Sequence, residues 1–573
     1  LVGSEMCIRD RYTPGVFDEY HNESKSEGNI GRQVMLSSEE LLHYNASVND
    51  VHNIDVLLGV NTNKEQAFSM YGYGLRGVSD DVYYYNPQKV PPVVNHGTPE
   101  FPDYAATRYY SSDFTEKRMV SYFGRLGYNY KQRYLLEFTF RRDGSSTFGE
   151  GNRWANFPSV AVGWSFSEEP FIKRLTGGWL NWGKIRGSYG KSGQTFTSAY
   201  LAHGLMNIMD KSFFGKTGIT TDKPVSPYLT WEKTRQYDLG LDMDMFNYRL
   251  NVKLDYYYKY TSSLIYDIPI PGSLYAFGAQ VENAMEISNE GLELELQADI
   301  LRESAVSWRM KFNMARNWNR FEKSYSGKDV VDGDGTLLVV GRPLNGLYVW
   351  AHRGYYNSDA EVPRLYKIDG QEIYFNDVAT NGISGAVGDY RLLDLDGDGN
   401  PDSYYAGSPL PLAHGGWVNE LMWKNFDLNV LVNFTIGRKM INNRMGLGFS
   451  RQSEDGHLTK LFDYRKLRPW DGVNKKPNAP AWGNSLSMNT DSAIEKVHHL
   501  ALKQITLGYN LPDRISKKAG LSGVRFFLTA ENLFYLSNYS GGNPEVVNIY
   551  TGRDNGDTYP LPRKYTLGLT LNF

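Results

Sequence analysis

The chain has 573 residues, and 61 Lys and Arg against 64 Asp and Glu leave a formal charge of −3, too balanced for a protein that lives on nucleic-acid phosphates. A mean hydropathy of −0.48, with no run near the ~18 to 20 apolar residues of a membrane helix, excludes helical spans but not membrane strands, whose alternation averages to a polar value. The single cysteine, Cys7, excludes internal disulfides and Cys-rich zinc sites, while 14% aromatic content, led by 42 tyrosines, calls for an interface that uses it.

Residues 1–11, LVGSEMCIRDR, read as a translated sequencing-adapter remnant, which leaves residues 12–573 as protein and makes the lack of a secretory signal uninformative about compartment. Gly72-Tyr-Gly74-Leu-Arg-Gly77 fits GxGxxG, but no amphipathic helix or βαβ unit surrounds it, so it reads as a glycine-rich strand end. From there on, period-two alternation dominates. In 237–245, Tyr237, Leu239, Leu241, Met243 and Met245 alternate with Asp238, Gly240, Asp242 and Asp244. After a turn at Asn247-Tyr248, the segment 250–260 sets Leu250, Val252, Leu254, Tyr256, Tyr258 and Tyr260 against Asn251, Lys253, Asp255, Tyr257 and Lys259. The same pattern runs through 292–300, where Leu292, Leu294, Leu296, Ala298 and Ile300 oppose Glu293, Glu295, Gln297 and Asp299, and again through 134–141 and 426–436.

Glu293 and Glu295 lie ~6.5 to 7 Å apart on one strand face, a spacing that paired glycosidase carboxylates can have. Such pairs recur on several strands, so they read as a lining, and no catalytic residue is assigned. Asp394-Leu-Asp396-Gly-Asp398-Gly-Asn400-Pro-Asp402 places oxygens at alternate positions around a glycine turn, as the first half of an EF-hand loop does. Tyr405 occupies the twelfth position, where a bidentate Glu is needed. Two readings stay open: a weak extracellular Ca²⁺ loop using Asp394, Asp396, Asp398, Asn400 and Asp402, or a loop of solvated charges. His498 and His499 are strand neighbours, so they face opposite sides and cannot ligate one metal together. The last strand, Tyr565 to Phe573, alternates Tyr565, Leu567, Leu569 and Leu571 with Thr566, Gly568, Thr570 and Asn572, and stops on an aromatic.

A soluble sandwich packs its greasy face inward; a membrane barrel turns that face to lipid and lines a wet lumen with the polar one. Leu239, Leu241, Leu254, Leu294 and Leu296 are accordingly expected to face lipid, and Asp242, Lys253, Asp255, Glu293 and Glu295 the lumen. The joins near 130, 247, 302 and 425 are tight, whereas 193–233, 264–285, 353–413 and 440–494 are long and irregular, which matches the short and long ends of an outer-membrane barrel. Tyr128, Tyr130, Tyr134, Trp164, Trp179, Trp182, Trp308, Trp417 and Trp423 fall near segment ends, as an interfacial girdle requires. Roughly sixteen strands are counted this way.

Several stretches, in order, resemble the SusC/RagA-type TonB-linked outer-membrane proteins: Ser121-Tyr-Phe-Gly-Arg-Leu-Gly-Tyr-Asn-Tyr130, Arg133 to Ser146, Asn156-Phe-Pro-Ser159, Gly187 to Gly193, Ser288-Asn-Glu-Gly-Leu-Glu293, Ala530-Glu-Asn-Leu-Phe534 and Pro562 to Gly568. The resemblance implies an all-β fold, a transmembrane antiparallel barrel of 22 strands with an N-terminal plug and a TonB-binding box. Neither plug nor box is read in 12–573, which is therefore taken as the C-terminal part of such a barrel. It also implies outer-membrane uptake of a nutrient, an oligosaccharide or a peptide, with a SusD-like lipoprotein over the mouth, TonB on the periplasmic side, lipid around the wall, no nucleic acid, and no cofactor beyond the Ca²⁺ considered above. The competing readings are a passive porin and a soluble β-rich glycan-binding protein.

Overall fold

The computed structural model describes residues 4–11, 25–75, 93–95, 104–106, 108–196, 198–204, 206–213, 216–221, 224–275, 278–331, 337–366, 372–374, 387–443, 468–473, 476–481, 490–554, 556 and 558–573. Gly77 of the GxGxxG stretch lies outside them; Gly72 and Gly74 sit in a strand. Among the described residues, sixteen strands follow one another through a single antiparallel sheet. They are β1 (Ser4–Arg11), β2 (Lys25–Val48), β3 (His52–Leu75), β4 (Arg108–Tyr130), β5 (Tyr134–Ser145), β6 (Trp154–Trp164), β7 (Leu180–Gln194) and β8 (Glu232–Met245). They continue as β9 (Leu250–Pro269), β10 (Ala279–Leu301), β11 (Val306–Lys323), β12 (Ala413–Trp423), β13 (Phe426–Asn442), β14 (Ile494–Asn510), β15 (Gly523–Ser537) and β16 (Lys564–Asn572). Each pairs with the next in the chain, the up-and-down order of an outer-membrane wall. The stretch read as an adapter remnant supplies β1, whose backbone pairs with Lys25–Arg32.

Turn chemistry separates the two ends. Joins at one end are tight and use left-handed residues: Asn49 and Asp50, Lys131 and Gln132, Phe246, Asn247 and Tyr248, Glu303, and Lys424 all have φ between 52° and 62°. Long segments, 76–107, 195–231, 324–412 and 443–493, all leave from the other end. The girdle residues Tyr128, Tyr130, Tyr134, Trp164, Trp179, Trp182, Trp308 and Trp423 gather at the tight-turn end, where Lys131 and Lys424 lie over the Tyr130 and Trp423 rings. Trp417 does not join them; it pairs with Phe312, six residues up β12.

Register fixes which side chains share a face. Ile185, Leu241, Leu254, Leu294 and Met314 form one row across β7 to β11, and the neighbouring row is Arg186, Gly240, Asp255, Glu293 and Ala315. Large apolar side chains stand exposed along the outward rows: Phe138 is 46%, Leu239 57% and Leu567 81% exposed. A soluble sandwich would bury that apolar face, so the pattern excludes it and puts the leucines against hydrocarbon. On β8 the apolar face runs from Met245 to Tyr237, and nine residues at ~3.3 Å each, tilted ~40°, give about 23 Å against the ~25 Å of an outer-membrane apolar band.

Beyond that band the outward face turns charged. Glu116 accepts from Gln66 at 2.6 Å, meets Arg118 at 2.6 Å and Lys64 at 3.4 Å, an arrangement at home in water. β2, β3, β4 and β10, at 24, 24, 23 and 23 residues, therefore stand well above the membrane, longer than the ~9 to 11 residues a crossing needs. Among the described residues, apolar cores form at this long-loop end: Met285, Phe321, Val330 and Leu338 make one, and Leu347, Val349, Ala406 and Ile441 another. They pin Val330, Leu338, Leu347, Val349 and Ala406 onto the wall.

Candidate functional site

Charge on the inner wall is built from strand register. Arg186 on β7 meets Asp238 at 3.4 Å, Asp242 at 3.0 Å and Asp255 at 2.5 Å. Gly240 stands between Arg186 and Asp255 in the register, and a Cβ there would fall 2.3 Å from Arg186 Cζ, so the missing side chain is what lets the guanidinium cross a whole strand. Only a planar fork with donors on several edges can hold three carboxylates at once. Next to it, Asp55 receives Arg125 at 2.8 Å and His43 at 2.5 Å. Asp55, Arg125, Glu137, Lys184, Arg186 and Asp238 line a cavity of about 890 Å³ in the tight-turn half of the wall. Lys253 pairs with Glu295 at 3.2 Å, Arg309 with Asp299 at 2.6 Å and Lys311 with Glu420 at 2.8 Å. The Asp242, Lys253, Asp255, Glu293 and Glu295 of the sequence reading all fall on this face, Glu293 beside Asp255 in the register. The wall is wet, polar and charge-balanced.

At the long-loop end a second cavity, about 1040 Å³, opens between the inner wall and the packed-down segments. Its wall side carries amides: Asn319 Nδ2 donates to Asn289 Oδ1 at 3.2 Å, and Asn319 Oδ1 accepts from the Leu344 N–H at 2.8 Å, clamping the loop to β11. Asn317 Oδ1 accepts from the Tyr257 hydroxyl at 2.9 Å. Its loop side carries the aromatics Tyr348, Trp350 and Tyr550; behind them Tyr348 packs on Tyr405 with ring centroids 5.7 Å apart, and Arg342 lies 4.9 Å over the Tyr405 ring. Burial pushes the Tyr348 phenol up to about 12, so it stays a neutral hydroxyl donor at any physiological pH. Tyr348 Oη and Asn345 Oδ1 are buried with no hydrogen-bond partner among the described residues, although buried polar groups are nearly always paired. Those two atoms are themselves shut off from the cavity, and what faces it is a set of rings and amides, which suits a neutral, hydroxyl- or amide-rich solute.

None of the residues lining this cavity was singled out from sequence as a binding residue. They come from 264–266, 285–319, 337–350, 403–410 and 550–553, and only the run Leu347-Tyr-Val-Trp350 carries a local sign, a short aromatic alternation.

The acidic loop lies apart from both cavities in its chemistry. Carboxylate oxygens of Asp394, Asp396 and Asp398 come within 4.8 Å of one another, all exposed. Asp394 also accepts from the Gly397 N–H at 2.6 Å and the Gly399 N–H at 2.9 Å, bonds that hold its carboxyl below the usual range. Asp398 accepts from the Asn400 N–H at 2.7 Å, and Asp402 from those of Leu395 at 2.5 Å and Asp396 at 3.2 Å. Three of the five expected ligands converge; Asn400 and Asp402 serve the turn. His498 is exposed and His499 buried, on opposite faces of β14.

Comparison with known proteins bears on the whole wall. A family model described as "TonB dependent receptor-like, beta-barrel" matches residues 9–430. A TonB-dependent receptor of Formosa agariphila is 30% identical over 565 residues, 94% of this chain and 53% of the relative. The TonB-dependent receptor SusC of Bacteroides thetaiotaomicron is 29% identical over 491 residues, 82% of this chain and 45% of that protein. The chain spans about half the length of the curated relatives it matches. Among solved structures, that of the RagAB peptide transporter superposes with a TM-score of 0.78 at 22% identity, covering 98% of this chain and 58% of the other, a likeness of fold.

Proposed function

Because the chain belongs to the TonB-dependent receptor-like β-barrel family of outer-membrane proteins, we propose that it forms the wall and mouth through which a SusC/RagA-type transporter imports an oligomeric nutrient, an oligosaccharide or a peptide. The single observation that supports this reading best is the mouth cavity, where the rings of Tyr348, Trp350 and Tyr550 and the amides of Asn289, Asn317 and Asn319 line one space. Rings stack on sugar faces or peptide side chains, and amides exchange hydrogen bonds with hydroxyls or peptide groups. Below, the solute meets a hydrated, charge-balanced wall, which offers many weak contacts and no deep trap. A SusD-like lipoprotein closing the long-loop end, and TonB acting from the tight-turn end, complete the cycle in this reading. The Asp394 loop enters it as a weak calcium loop on the outer side, supported by the convergence of Asp394, Asp396 and Asp398.

The test is uptake of labelled oligosaccharides and labelled peptides by cells expressing the whole gene. One of the two classes is taken up, uptake stops when TonB is deleted, and Trp350→Ala with Asn317→Ala weakens it about tenfold, the cost of a lost stacking contact and a lost hydrogen bond. Uptake that is indifferent to TonB favours the passive porin and overturns the energy-coupled reading.

A further inference from the structure

The outward face of the wall is a band of side-chain ridges, and at one place a ridge is missing. Leu42, Leu58, Gly124 and Phe140 form one row across β2 to β5. A Cβ on Gly124 would stand 3.1 Å from Leu58 Cδ2, with no other side-chain atom near it. The gap opens a groove of about 750 Å³ that runs up β4, walled by Val56, Leu58 and Val60 on one side and by Phe138 and Phe140 on the other. Leu58, Phe138 and Phe140 are exposed, so the groove lies open to hydrocarbon.

Its upper end is cationic. Arg142 follows Phe140 on the same face, at the level where the apolar band gives way to charge. Its guanidinium lies 5.4 Å over the Trp154 ring, which stacks on Tyr122 with centroids 6.0 Å apart. Such stacking holds the fork at the boundary between acyl chains and headgroups. Among the described residues Arg142 has no carboxylate partner. Glu40 shares its row, but three strand spacings of ~4.8 Å separate them by about 14 Å. Glu116, the other carboxylate on this face of β2 to β5 among the described residues, is already held by Arg118, Lys64 and Gln66. An apolar channel of membrane depth thus ends on a stacked, unmatched guanidinium, and the charge left over asks for an anion.

We propose that this groove holds one acyl chain of a phosphate-bearing lipid of the outer leaflet, with the Arg142 guanidinium on its phosphate. Arginine takes phosphate oxygens bidentately, and the chain below restores the contacts missing over Gly124. The annular site lies on the outside of the wall, on the opposite face of the sheet from the ion-paired side chains of the lumen, and its occupancy does not depend on what the lumen transports.

The experiment uses protein expressed from the whole gene, extracted in dodecyl maltoside, and titrated in native mass spectrometry with dioleoyl phosphatidic acid, dioleoylglycerol or inorganic phosphate. Phosphatidic acid should bind at least tenfold more tightly than the other two. Arg142→Ala should lose about tenfold of that affinity, Arg142→Lys should keep most of it, and Gly124→Leu, which fills the groove, should lose a similar amount while the gel shift on boiling stays normal. Leu58→Phe fills the groove from the neighbouring strand and replaces Gly124→Leu if that variant does not fold. Equal binding of dioleoylglycerol removes the phosphate from the proposal, and equal binding of inorganic phosphate removes the acyl chain. A dimer mass that vanishes in the groove-filled variant assigns the face to a second copy of the chain and overturns the proposal.

Discussion

Arginine at Leu241 should destabilise the wall far more than arginine at Glu295. Leu241 lies midway along the Met245 to Tyr237 apolar run, in the row with Ile185, Leu254, Leu294 and Met314, so a guanidinium there meets hydrocarbon on every side. For an outer-membrane barrel that costs about 2 to 4 kcal/mol at mid-depth. Met245→Arg, at the tight-turn end of the same face, falls near the interface and should cost only about 0 to 1 kcal/mol. Glu295 is on the inner face with its side chain 62% exposed, and replacing it breaks one exposed pair to Lys253, worth about 0 to 1 kcal/mol. Asp242 makes a poorer comparator, because its carboxylate holds Arg186 and an arginine there would set two guanidiniums together. Urea titrations of the protein folded into phosphatidylcholine vesicles, followed by tryptophan fluorescence, measure all three. A Leu241→Arg loss within 0.5 kcal/mol of the Glu295→Arg loss would refute the assignment of faces, since at least about 1 kcal/mol must separate them.

Removing Arg186 should leave Asp238, Asp242 and Asp255 facing one another, at a cost of about 1 to 3 kcal/mol, less than a fully buried pair because the guanidinium is 32% exposed. Gly240→Ala should reproduce much of that loss in the same denaturation assay by blocking the path to Asp255. Calorimetry of the Asp394 loop should find Ca²⁺ binding on the order of 10⁻⁴ to 10⁻³ M, abolished in Asp396→Asn with Asp398→Asn; no heat at millimolar calcium assigns the loop to solvated charges. The Asp394 carboxyl is depressed by the Gly397 and Gly399 N–H groups, so its contribution to loop order is complete above the ordinary value of 3.8 and is lost as pH falls below it through the lowered folded value. Amide exchange of Gly397 and Gly399 should therefore be flat from pH 7 to 5 after correction for intrinsic rates, and lose protection only under strongly acidic conditions.

The wall was legible in the sequence because a strand in a membrane obeys one rule along its length. The alternation in 237–245, 250–260 and 292–300 gave both faces, and the tight joins near 130, 247, 302 and 425 gave the ends, since lipid on one side and water on the other leave a period of two in residue type. Strand ends were not legible. Above the band both faces of β2 and β3 meet water, polar and apolar positions lose their contrast, and the extra ten or so residues of pairing leave little pattern. Long-range partners were hidden for another reason. That Arg186 reaches Asp255 depends on Gly240 lying between them in a three-strand register, and alternation within one strand carries no record of register. The mouth cavity was hidden most completely, because Asn289, Tyr348, Trp350 and Arg553 meet only after 337–350 has packed onto β10 and β11.

The central claim, that the greasy face points outward into lipid and the charged face inward to water, is tested most directly by spin-label accessibility. With Cys7 replaced by serine, single cysteines are placed in turn from Gln236 to Asp244 on β8 and from Asn251 to Tyr258 on β9, labelled, and reconstituted in vesicles. Leu239, Leu241, Val252 and Leu254 should collide with oxygen, which concentrates in hydrocarbon, and Asp238, Asp242, Lys253 and Asp255 with a water-soluble nickel complex, the two signals alternating at every residue. Nickel access to the leucines, or accessibility without a period of two, would contradict the account.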